Sequence, residues 1–377
     1  YIACKKKALI SIFGRYQCLT DRSRRKLSTN SLRRIELYHC FSLTAIANYN
    51  FKIKEEIIIH ISEKFHLAIL GHKDIDFIDV DETWDTGLYI DPYVIQALPD
   101  KFCEDARKCI DSFFREVFEA CRDKNIKRLR DLLEYASEPN ETNLGMKSIS
   151  EYGKGTSTDQ LLKLFMEFYD IVRENLYREN NPLAQSMYIQ NFDKDKMSDL
   201  ITNIIRKLLY SFTVEQSNIW GISLGSDEVL IGNYWDCDTL SWKELHERPL
   251  SVGHKNILLV PKSIVRPRYV FNVGTYIKQY ILKILQQEHV DKKTDMCSTK
   301  VNAYGRLIVV APTRKELYNY EVRGTMCKQY ALKFSTKNKS VEDEFVKDMS
   351  RRISEGYGTI NDAQLDKIVY RKRVQSA

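Results

Sequence analysis

The chain has 377 residues, 43% apolar and 29% charged, with a net charge of +7. This is a globular composition, long for one domain and natural for two, and no apolar run reaches the roughly 18 residues that cross a bilayer. The charge does not by itself announce a nucleic-acid surface: residues 1–50 hold ten basic and two acidic groups, leaving 48 basic against 49 acidic beyond them. Nine cysteines, odd in number and without a Cys-x-x-Cys pair, argue against a disulfide framework or a zinc ribbon. They fit a reducing cytoplasm.

Residues 1–50 carry a basic cluster (Arg22, Arg24, Arg25, Lys26) and no sustained period. They read as an extension outside the globular fold, whose removal leaves thermal stability unchanged. A basic arm gripping nucleic acid is the functional alternative. From Phe51 the pattern becomes regular. Ile57, Ile58, Ile61 and Phe65 predict a helix ending before Gly71. Gly87–Ile90 reads as a short strand stopped by Asp91-Pro92. The stripe Phe102, Ala106, Cys109, Ile110, Phe113, Phe114, Val117, Phe118 and Cys121 has helical period and reads as core. A second helix follows at about Ile126–Ala136, then a polar loop, Ser137–Ser157, then a helix from Leu161 to Leu176. The loop Asn191–Asp199 opens another, with Leu200, Ile201, Ile204, Ile205, Leu208, Leu209 and Phe212 on one face. Beyond Gly221 come strand-like runs (Glu228–Ile231, Asn256–Val260, Arg306–Val310), a helix through Tyr276–Leu285, and a charged, weakly periodic end from Lys337. The expected fold is α+β and helix-dominated, with a helical domain over 51–220 and a smaller mixed domain over 221–377.

The stretch His72–Pro92, HKDIDFIDVDETWDTGLYIDP, threads seven carboxylates between large apolar residues. Low hydrophobicity keeps acidic tails unfolded, so acids this close to Phe77, Ile78, Trp84 and Tyr89 are held against a core. Mg²⁺ or Mn²⁺ is bound by a few carboxylates and water, and hydrolysis of phosphodiesters commonly uses it. Asp79, Asp81, Asp85 and Asp91 are therefore candidate metal ligands, joined by Asp199 at the predicted helix start. Glu138 and Glu141 could complete the set. Lys154, in Gly153-Lys154-Gly155-Thr156-Ser157 before a helix, could touch phosphate, although the loop is not a Walker A sequence. Lys262 follows an apolar strand, as a water-activating lysine does in restriction-type nucleases, but Val260 stands where that pattern needs Glu. The plainer account of the acids is capping and solvation of a strand edge.

FKIKEEIIIHIS, DIDFIDVDETWDTGLYIDP, SEPNETNLGM with the following GKGT, DKDKMSDLITNII and NILLVPKSIV together resemble a group of uncharacterised bacterial proteins associated with mobile-element or phage-defence neighbourhoods. The resemblance runs from about Phe51 to the C-terminus and implies a bacterial cytoplasmic origin. The leading expectation is a metal-dependent, nuclease-like hydrolase acting on nucleic acid. The alternative is a non-catalytic sensor or partner-binding subunit in which the same loops form a protein interface.

Overall fold

Asp100 accepts a hydrogen bond from the Cys103 backbone N–H at 2.9 Å, and this cap opens a helix over Lys101–Arg122. The aromatic stripe lies inward as its spacing demands: Cys103, Ala106, Ile110, Phe113, Phe114, Val117, Phe118 and Cys121 are all buried. The computed structural model describes residues 60–81, 85–136, 139–145, 157–172, 182–252 and 255–370, all within the unit Ile59–Ala377. In chain order this helix is α3, after α1 (Ile61–Lys64), the two-residue strand β1 (Tyr89–Ile90) and α2 (Pro92–Ala97). The separate α2 was not expected. Its C-cap, Leu98, precedes Pro99 and takes an extended ψ of 137°, which breaks the helix before Asp100 can start the next.

The helices that follow are α4 (Ile126–Leu133), α5 (Thr158–Val172), α6 (Pro182–Gln185), α7 (Lys194–Ile204) and α8 (Arg206–Trp220). The predicted stripe from Leu200 to Phe212 is thus two helices, parted at Ile205 (φ −96°, ψ 14°). Helix α7 begins at Lys194, so Asp199 sits inside it rather than at its start. Gly221 closes α8 in the left-handed conformation (φ 66°) that favours glycine.

Four antiparallel two-stranded ladders are present among the described residues. Strand β1 pairs with β6 (Val265–Arg266), and β2 (Val229–Asp236) pairs with β3 (Ser241–Glu247). The remaining two are β4 (Leu250–Val252) with β5 (Lys255–Ile257), and β7 (Ser298–Val301) with β8 (Leu307–Val310). After β6, α9 (Val273–Tyr276) runs through a π-turn into α10 (Leu282–Lys292). The C-terminal part is more helical than its charge suggested: α11 (Arg314–Leu317), α12 (Cys327–Lys337), α13 (Lys339–Ser354) and α14 (Asp362–Val369). In α13, Val341, Phe345, Met349 and Ile353 form a buried stripe at four-residue spacing. The fold is α+β and helix-dominated, and its hydrophobic core is one cluster from Ile61 to Leu365, drawing on both sides of Gly221. Among the described residues no helix is long and apolar enough to cross a membrane.

Candidate functional site

The acidic stretch does converge with the other polar loops, but through its backbone. Ile78 N–H donates to Val260 O, Thr86 N–H to Asn143 O, Leu258 N–H to Glu141 O and Asp91 N–H to Ile264 O, all between 2.8 and 3.0 Å. Ile90 N–H donates to Ser198 Oγ on α7 at 3.0 Å. The carboxylates meanwhile turn to separate protein partners. Asp79 is buried and accepts from Ser62 N–H at 2.8 Å, from the Ser62 hydroxyl and from the Tyr370 hydroxyl at 2.9 Å. His72 Nε2 accepts the Asp79 backbone N–H, so the ring proton is on Nδ1, 2.7 Å from Asp366 Oδ1. Burial pushes the Asp366 carboxyl up, but the His72 backbone N–H, the His72 ring and Lys262 outweigh it and hold it below the ordinary value.

Lys262 belongs to the same tie. Its ammonium donates to His72 O at 2.6 Å and pairs with Asp362 at 3.1 Å. The residue proposed to activate water instead fastens α14 to the segment 72–79. Replacing Tyr370 with Phe leaves a buried carboxylate short of a donor and should cost about 1–3 kcal/mol in urea unfolding. Lys262→Ala should cost under about 1 kcal/mol, because that pair is partly exposed. The reverse order would make Lys262 the anchor.

The other candidates fall elsewhere. Asp81 is buried, its carbonyl accepts from Asn143 Nδ2 at 2.9 Å, and Asp85 is half-buried. Asp91 caps α2 through Tyr93 N–H at 3.0 Å. Burial pushes its carboxyl up to about 7, while the Tyr93 N–H, Arg266 and the Val94 N–H pull it partly back. Glu141 Oε2 lies 2.9 Å from Arg206 Nη1, a charge contact rather than an aligned hydrogen bond, since that guanidinium serves Ile231 O, Asn233 O and the Asn203 side chain. Gly232, at the bulge in β2 with φ 146°, admits it: a Cβ there would stand 2.7 Å from Arg206 Cζ. Glu138 and Lys154 lie outside the described residues. Among the described residues no group of three or more His, Cys, Asp or Glu is placed to hold a metal ion. The sequence-predicted set is therefore spread over the Asp79–Lys262 tie, the Glu141–Arg206 contact and the Asp91 cap.

Beside Asp91 the same elements build a cavity of ≈ 340 Å³. Its walls include Tyr93 stacked on Phe271 (4.2 Å between centroids, 22° between planes), with Phe192, Met187 and Met197. Three cations line it: Lys194, Arg268 and Lys328, with Asp193 alongside. Lys194 Nζ stands 3.2 Å from the centroid of the Tyr89 ring. Burial lowers its pKa, and Asp195 and Asp193 oppose that. Lys328 is likewise lowered by burial, and its ammonium donates to Ile189 O at 2.7 Å and Phe192 O at 2.8 Å. The Tyr269 hydroxyl reaches Ile90 O and Lys194 O, joining the β1 strand to α7, and Asn272 Nδ2 holds Tyr269 O at 2.6 Å. An apolar chamber of this size with a few convergent charges is the usual form of a small-ligand site. Reading the sequence for acids missed it; Arg266-Pro267-Arg268-Tyr269, two arginines about a proline beside an aromatic, was the available signal.

Fold and cavity together define a helix-dominated α+β protein with a cation-lined apolar pocket. Residues 69–272 match the family model described as "Domain of unknown function (DUF8370)", and the chain belongs to that family. No curated protein and no solved structure matches it. The matched span covers the cavity wall as far as Asn272, while Val273 and Lys328 come from beyond it.

Proposed function

We propose that this chain is a ligand-binding sensor whose site is the cavity between α2, α7 and the segment Arg268–Val273, and that it takes a small organic anion with a flat apolar body. The single observation that carries this reading is the pairing of a stacked aromatic wall, Tyr93 on Phe271, with the cations Lys194, Arg268 and Lys328. The wall suits a planar ring, and the cations suit a phosphate or carboxylate. Resemblance to proteins of bacterial defence neighbourhoods fits a cytoplasmic sensor of a nucleotide-like signal.

The test uses adenosine monophosphate and an aromatic carboxylate as probes in thermal-shift and calorimetric titrations. Binding of either should raise the melting temperature. Arg268→Ala should weaken it by about tenfold, the loss of one charge-assisted contact. A melting curve indifferent to both classes of probe, or variants that bind as well as the parent, would overturn the proposal.

The second reading, a Mg²⁺- or Mn²⁺-dependent hydrolase on nucleic acid, draws support from Asp193, Asp195 and Asp199, whose charges all act on Tyr89. Under that reading Mn²⁺ raises stability by itself, with no organic anion present.

A further inference from the structure

The β7–β8 hairpin buries neither of its faces. Every residue from Ser298 to Val309 is exposed except Asn302, and among the described residues neither strand pairs with a third. Val301 is 64% exposed, Leu307 74% and Tyr304 87%. Two strands alone are marginally stable in water, and exposed apolar groups gathered in one place mark an interaction surface. The turn is nonetheless well tied. Asn302 Oδ1 accepts from Tyr304 N–H at 2.9 Å and from Arg306 N–H at 3.0 Å, and Gly305 takes the left-handed conformation (φ 76°). The ribbon is thus held in shape at its tip, ahead of any partner.

Cross-strand pairing sorts its side chains. Thr299 opposite Val309 and Val301 opposite Leu307 make one face apolar. Lys300 lies opposite Ile308 on the other face, which Arg306 shares because it stands two residues before Ile308. Charge is equally one-sided: between Asp295 and Glu316 the chain holds Lys300, Arg306, Arg314 and Lys315 and no acid. The pairing also fixes which backbone groups face outward. Asn302 N–H donates to Arg306 O at 2.8 Å, so the alternation of an antiparallel ladder turns the N–H and C=O of Leu307 and Val309 away from β7.

We propose that the outer edge of β8 binds an extended segment of another protein as a third strand, one in which apolar residues alternate with carboxylates. Its apolar side chains continue the face of Val301 and Leu307, and its carboxylates face Lys300 and Arg306. Backbone bonds to Leu307 and Val309 supply affinity, and the two faces supply specificity. A second copy of this hairpin would bring the same basic groups and no acid, so charge selects a different chain. The surface uses no residue of the cavity and stands whether or not the cavity takes an anion.

The probe is the blocked peptide Thr-Val-Glu-Val-Asp-Val-Thr, titrated into the full chain by fluorescence anisotropy. Amide hydrogen exchange of residues 306–310 is followed alongside. Exchange at Leu307 and Val309 should slow on binding. Lysine in place of both acids in the peptide, or Arg306→Glu in the protein, should weaken binding by about fivefold, the worth of a partly exposed ion pair. N-methylation of the peptide at alternate residues should weaken it by about tenfold for each backbone bond removed. That last arm leaves the protein untouched, so it does not depend on a variant folding. Equal affinity for the acidic and basic peptides, tolerance of N-methylation, or protection confined to other segments would overturn the proposal. Slowed exchange at residues 306–310 that follows self-association or added duplex DNA, with none on adding the peptide, would overturn it as well.

Discussion

Phe113→Ala should lower the unfolding free energy by about 3–5 kcal/mol, read as a fall in the urea midpoint with an unchanged slope. The ring is fully buried and stands at the centre of an aromatic group. It meets Phe114 at 5.8 Å, Trp235 at 5.2 Å and Trp242 at 5.6 Å, each close to edge-on. Such pairs add to the area they bury, and neighbours held by Trp235 to Ser112 and by Trp242 to Leu132 O are poorly placed to collapse into the gap. The upper half of that range is therefore expected. Because both tryptophans border the site, their emission should shift in the folded variant as well. A cost below about 1 kcal/mol would mean that the stripe on α3 is not what holds the β2–β3 hairpin, and would favour a docking role for that face.

The second large effect is a dependence on pH. Asp91 is fully buried, and its carboxyl is pushed up to about 7. Between pH 4 and 7 the folded chain keeps a proton that the unfolded chain has released. Its contribution to stability is complete below the ordinary carboxylate pKa, falls as pH rises through that window, and is lost above it. Three pKa units correspond to about 4 kcal/mol, of which about 3 kcal/mol falls between pH 5 and 8. Asn at this position retains the acceptor for Tyr93 N–H and carries no charge. The stability of Asp91→Asn relative to the parent should therefore rise by about 3 kcal/mol from pH 5 to pH 8. A difference that is flat across that range would show that Asp91 is ionised in the fold, with Arg266 as sufficient counter-charge.

Helices with one clean apolar face were legible because burial and period coincide. The stripe from Cys103 to Cys121 lies inward as read, and so does the face of α5 marked by Leu161, Phe165 and Phe168. Boundaries were less legible. A single predicted helix from Leu200 became two because Ile205 leaves the helical conformation, a local event that no apolar count records. Strands β3 and β7 went unread because their side chains are mostly exposed or half-exposed and their runs mix charge with Trp and Val. The chemistry was harder still. The acidic stretch did mark a place where loops meet, yet Asp79 and Lys262 are spent on Ser62, Tyr370, His72 and Asp362, partners as far as 291 residues away. Carboxylates that ligate and carboxylates that hold a fold together read alike in one dimension. The cavity draws Tyr93, Lys194, Arg268 and Lys328 from four separate segments, and no local pattern joins them.

The tie between His72 and Asp366 also sets a schedule for synthesis. The His72 backbone and ring both wait for a residue 294 positions later in the chain. On a ribosome adding about 5–20 residues per second, that interval is roughly 15–60 s. Throughout it His72 lacks its carboxylate and Asp79 lacks the Tyr370 hydroxyl, so the segment around them stays incomplete for that interval. Contacts of such sequence separation close slowly and leave apolar neighbours such as Phe77 and Ile78 uncovered meanwhile. The segment can therefore lock only once α14 and Tyr370 have emerged, and emergence of the family-matched span by itself leaves it open.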